Sequence, residues 1–98
     1  MSRFVSFNSL AEAELNEAVV FYDLQVAGLG RDFLHAAERT IAGLLDFPES
    51  GAVVRGRVRR KLLPRFPYAI LYRIRGDEIR ILAVKHDSRR PTYWYGRT

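Results

Sequence analysis

The apolar residues of this chain change period once, and that change restricts the fold more than any other feature. From about Ser9 to residue 46 they recur at helical spacing, and from Val53 onward they follow the short alternating runs of strands. Between the two lies Pro48-Glu49-Ser50-Gly51, a run that no helix crosses. Ser9 followed by Glu12 has the form of a capping box, which predicts a helix start there. Leu15, Ala18, Val19, Tyr22 and Val26 then form one apolar stripe. Gly28 and Gly30 break this helix. A second is predicted from about Asp32 to Asp46, with Phe33, Leu34, Ala37, Ile41, Leu44 and Leu45 as its stripe. The two helices form an αα-hairpin.

Strands flank the hairpin. Phe4-Val5-Ser6-Phe7 reads as a first, short strand, and Val58 to Leu63 as a second that Pro64 ends. Tyr68-Ala-Ile-Leu-Tyr-Arg-Ile-Arg is rich in β-branched and aromatic residues, as strands are. The Gly76-Asp77 turn makes Glu78 to Lys85 its antiparallel partner. Strict alternation there puts Ile79, Ile81 and Ala83 on one face and Arg80, Leu82 and Val84 on the other. The expected fold is α+β with the order β-α-α-β-β-β. An αα-hairpin covers one face of a twisted antiparallel sheet, and the opposite face is left to the arginines. At 98 residues, the whole of 1–98 is expected to be one domain.

Charge divides the chain at the same place. Residues 1–50 carry three basic and eight acidic side chains, whereas residues 51–98 carry thirteen basic and three acidic ones. Eleven of those thirteen are arginines, whose planar fork suits phosphate and carboxylate groups. Such polarity points to an anionic partner, a nucleic acid or an acidic protein. The absence of cysteine removes disulfides and thiolate metal sites and suits a reducing compartment, so a cytoplasmic location is expected. No window approaches the roughly 18 apolar residues of a membrane span, and no membrane partner is expected.

Two clusters have the residue types for chemistry. In Arg55-x-Arg57-x-Arg59-Arg60-Lys61, continued by Arg65, alternate residues of a strand would share a face and form a phosphate-binding comb. Equally, such a run protects an exposed strand edge from aggregation. The tail His86-Asp87-Ser88-Arg89-Arg90-Pro91-Thr92-Tyr93-Trp94 places histidine, arginine and tyrosine close together. These types can move a 2′-hydroxyl proton and hold a phosphate's developing charge. The alternative is a hydrophobic anchor, Tyr93 and Trp94 fastening the tail to the sheet. His35 stands alone on a helix, Glu12, Glu14 and Glu17 read as a solvated helix face, and the glycines fit no phosphate-loop spacing. No metal and no cofactor are expected.

The runs Gly28-Leu29-Gly30-Arg31-Asp32-Phe33-Leu34 and Val58 to Ile74, which contains Arg65-Phe66-Pro67-Tyr68, resemble the RelE/ParE superfamily of toxins. So do Ala83-Val84-x-His86 and the closing Arg89-Arg90-Pro91-x-Tyr93-Trp94. The resemblance spans nearly the whole chain. It implies a bacterial growth-inhibiting toxin of a type II toxin–antitoxin pair, such as those that stabilise plasmids, held in a hetero-oligomer by a cognate antitoxin. It also implies the same β-α-α-β-β-β fold.

Two mechanisms occur in that superfamily. RelE-like members cut mRNA on the ribosome without a metal, using basic residues and a C-terminal tyrosine; ParE-like members poison DNA gyrase. Tyr93 falls where that tyrosine would lie and Arg60 near a catalytic lysine. Leu62, Ala69 and Asp87, however, replace cationic groups of the nuclease pattern. If the chain is a nuclease, the candidate catalytic groups are His86, Tyr93, Arg65 and Arg89. The residues expected to bind nucleic acid or another target are Arg55, Arg57, Arg59, Arg60, Lys61, Arg65, Arg80, Arg89 and Arg90. The missing cations favour the ParE-like reading. A nuclease and a non-toxic antitoxin-binding module are the alternatives.

Overall fold

In the computed structural model, which describes residues 2–98, each sequence signal has an element to match. The order is β1 (Phe4–Phe7), α1 (Ser9–Gln25), α2 (Leu29–Asp46), a 3-10 turn (Pro48–Ser50), β2 (Ala52–Arg55), β3 (Val58–Leu62), β4 (Tyr68–Arg75) and β5 (Glu78–His86). The strands form one sheet in the order β1-β5-β4-β3-β2. The expected α+β architecture is present, with two refinements. A fifth strand, β2, precedes β3. The β1–β5 pair is parallel, while the other pairs are antiparallel. No tight turn joins β1 to β5, so nothing forces them to run in opposite directions.

The helices begin earlier than the spacing suggests. Asn8, not Ser9, caps α1: its side-chain oxygen accepts from the Leu10 and Ala11 amides at 2.8 and 3.4 Å. Gly30 does not break the chain but lies in the first turn of α2, buried against α1. A Cβ there would come within 2.3 Å of the Val19 carbonyl oxygen, so only glycine allows the helices this approach. Phe33 is fully buried between the helices and the sheet, its ring 5.3, 5.1 and 4.8 Å from those of Tyr22, Phe66 and Tyr68. With Ala37, Leu44, Ile70, Tyr72 and Ile79 it forms the main core.

The faces of β5 depart from strict alternation. Leu71 pairs with Ala83 but Tyr72 pairs with Ile81, so Leu82 is an extra residue, a β-bulge. Beyond it the phase inverts: Val84 joins Ile79 and Ile81 beneath the helices, and Ala83 turns to the outer face. The outer face is not bare either. The tail after β5 lies over it, and Trp94, 6% exposed, packs on Leu71 and Ala83. Trp94 is therefore the anchor of the tail.

Candidate functional site

The arginine comb does not form. Gly56 and Arg57 make the turn between β2 and β3, with Gly56 at φ 55°, so Arg55 and Arg59 lie on different strands. Arg59 pairs with Tyr72 and turns to the helix side, where it donates to the Glu49 and Gly51 carbonyls at 3.1 and 2.9 Å. The Tyr72 hydroxyl completes this latch, donating to the Pro48 carbonyl at 2.6 Å and accepting from the Gly51 amide at 2.9 Å. Arg59 thus secures the 3-10 turn to the sheet. Arg55 instead stacks on Tyr95 of the tail, 4.0 Å from its ring centroid. Arg60 pairs with Leu71 and so lies on the outer face. Lys61 pairs with Ile70 on the helix side, half-buried. Arg65, at φ 69°, lies exposed in the β3–β4 loop over the Phe66 ring, 5.5 Å from its centroid. Arg90 is exposed, and Arg80 donates to the Thr98 carbonyl at 3.3 Å.

The tail cluster forms around a residue the sequence reading set aside. Glu14 is not part of a solvated face: it accepts from both terminal nitrogens of Arg97, at 2.9 and 3.1 Å, and from the Val84 amide at 3.1 Å. Arg97 also donates to the Leu82 carbonyl at 3.1 Å. β1 ends at Phe7, opposite Ile81, so β5 has an open edge beyond that point. The Glu14–Arg97 pair satisfies that edge and fastens the tail to α1. The signal was present: Ala11, Glu14 and Ala18 lie on one helix face, and Ala11 and Ala18 are buried.

Tyr93 is enclosed by these groups. The guanidiniums of Arg89 and Arg97 stand 4.0 and 4.8 Å from its ring centroid, and its hydroxyl is buried without a hydrogen-bond partner. Burial first, and next the Glu14 carboxylate, push the phenol well above the usual tyrosine range, so it holds its proton. His86 lies on the helix side with its ring edge-on to Tyr68, 5.0 Å between centroids. Its Nδ1 accepts from the Ser88 amide at 2.9 Å, which leaves the ring proton of the neutral form on Nε2. His86 and Arg89, with Glu14, Glu17, Phe21 and Tyr68, line a groove of about 410 Å³ beside the hairpin. Arg65 does not line this groove, and Arg60 lies on the opposite face of the sheet. Arg89 thus stands between His86 and Tyr93, and of the four catalytic candidates only Arg65 is not drawn into this cluster. Among the described residues, no three His, Asp or Glu side chains are grouped as a metal site needs.

A family model described as "ParE toxin of type II toxin-antitoxin system, parDE" matches residues 5–91. The chain belongs to the ParE toxin family. The fold agrees: a solved structure titled "Chromosomal ParDE TA system from P. aeruginosa" superposes with a TM-score of 0.76 at 20% identity, covering 87% of this chain and 96% of that one. A search of curated proteins found no match. As a ParE toxin, the protein has an antitoxin as its implied partner. No described helix of the toxin is long and apolar enough to cross a membrane. On α1 the toxin also exposes Val20, Phe21 and Leu24, the last of them 81% accessible, beside a shallow apolar hollow that adjoins the His86 groove through Glu17 and Phe21.

Proposed function

We propose that this ParE toxin stops growth by binding DNA gyrase rather than by cutting RNA. One observation carries the reading: the groups that would have to act together on a phosphodiester are buried, already engaged or, for Arg60, on the other face of the sheet from His86. The Tyr93 phenol is buried and its proton is held, and the His86 Nδ1 lone pair is taken by Ser88. Arg59 is engaged by backbone carbonyls, and Arg60 lies across the sheet from His86. Metal-free cleavage needs a base, an acid and a cationic clamp within reach of one phosphate. Binding needs only a complementary surface, and the basic half supplies one.

The test is induced expression in cells, followed by the supercoiling state of a reporter plasmid and by primer extension on mRNA. Relaxed or broken plasmid with intact message supports the reading. Codon-phased cuts with normal supercoiling would establish the nuclease alternative. Harmless expression without antitoxin would leave only the binding module.

In the same proposal, the antitoxin lies along the His86 groove and the apolar stretch of α1, where Val20, Phe21 and Leu24 lack a cover. An acidic and apolar segment suits Arg89 and the neighbouring basic half. The pair works in the cytoplasm, where gyrase is.

A further inference from the structure

A second groove, of about 220 Å³, lies on the outer face of the sheet between β3 and the tail. Ala69 and Leu71 are its buried floor, Trp94 and Tyr95 its wall. Arg60 and Lys85 line it as cations, and Asp87 lines it as well. An apolar floor rewards an apolar side chain, and two cations reward an anionic group beside it.

Three features separate protein from nucleic acid as the occupant. A base needs an open aromatic face to stack on. Trp94 is 6% exposed, and Tyr95, though 42% exposed, already has one face covered by Arg55 at 4.0 Å. Asp87 would repel a phosphate but can accept from a peptide amide or a basic side chain. The volume, below the ~300–1,000 Å³ of most small-molecule pockets, suits one side chain. The groove also opens away from the His86 groove and the apolar stretch of α1, whose linings it does not share.

We propose that this groove is the toxin's contact with its protein target, receiving an apolar side chain flanked by a carboxylate. The assignment rests on the reading that the toxin acts by binding gyrase. Arg60 engages the carboxylate, and Leu62, 60% exposed at the rim, extends the apolar contact. Both side chains project from the surface, so changing them leaves the core intact.

The test measures binding of the full-length toxin, freed from its antitoxin, to immobilised gyrase holoenzyme and, separately, to a single-stranded RNA oligonucleotide. Arg60→Glu and Leu62→Asp are each expected to weaken gyrase binding at least about tenfold. Both should retain the wild-type melting temperature and still co-purify with the antitoxin. If wild-type toxin binds no gyrase, the function proposed above fails and this assignment with it. If the wild type binds and both variants bind as tightly, the groove alone is refuted. Loss of antitoxin binding at an unchanged melting temperature would give the groove to the antitoxin. Tight RNA binding that depends on Arg60 would give it to a nucleic acid, and either result overturns the proposal.

Discussion

Tyr93 is the residue on which the nuclease and binding readings differ most. Its hydroxyl is buried without a partner, so Tyr93→Phe removes a desolvated group and leaves the packing between Arg89 and Arg97 in place. The variant should be as stable as wild type at neutral pH, or up to about 1 kcal/mol more stable, in urea unfolding. It should also be equally toxic; a loss of toxicity with unchanged stability would restore a catalytic phenol. The pH dependence has a definite sign. The native phenol titrates above its unfolded value near 10, so its contribution is complete below about pH 10 and is lost as pH rises beyond it. Tyr22, Tyr68 and Tyr72 are raised as well, each first by burial, so alkaline destabilisation should shrink in Tyr93→Phe without vanishing. Glu14 is the opposite case. Glu14→Ala leaves the Val84 amide without an acceptor and Arg97 with the Leu82 carbonyl alone, and should cost about 1–3 kcal/mol in the same measurement.

At the scale of elements, the hairpin and the β4–β5 pair were legible because each follows from local spacing. The helical stripe around Phe33 and the Gly76-Asp77 turn need no distant partner to be recognised. What escaped depends on residues far apart in sequence. The bulge at Leu82 exists only in the register against Leu71 and Tyr72, and it reverses the faces of Ala83 and Val84. The comb failed because Gly56 supplies a turn within what read as one extended run, and because Arg59 is drawn to the carbonyls of Glu49 and Gly51. Glu14 meets Arg97 across 83 positions, a contact that no local pattern encodes. The role of Gly30 also appears only where α1 and α2 meet. Gly30→Ala forces a Cβ toward the Val19 carbonyl and should destabilise the toxin by about 1–3 kcal/mol, read as a lowered melting temperature. An unchanged value would mean that the helices can separate freely.

Over the whole molecule, charge and architecture coincide. The acidic half builds the helices and the basic half most of the sheet and the tail, so the toxin presents surfaces of opposite sign to its surroundings. This makes the antitoxin complex salt-sensitive: its affinity should fall as ionic strength rises, mainly through slower association. A salt-independent affinity would assign the complex to the apolar stretch of α1 alone. The separation of His86 from Arg60 is also a property of the whole molecule, since the sheet lies between them. The central claim is that such a molecule binds its target instead of cutting it. The most direct measurement adds purified wild-type toxin to DNA gyrase in an ATP-dependent supercoiling reaction. The account predicts dose-dependent loss of supercoiling that added antitoxin reverses. Full supercoiling at saturating toxin, with the same preparation cutting ribosome-bound mRNA, would contradict it.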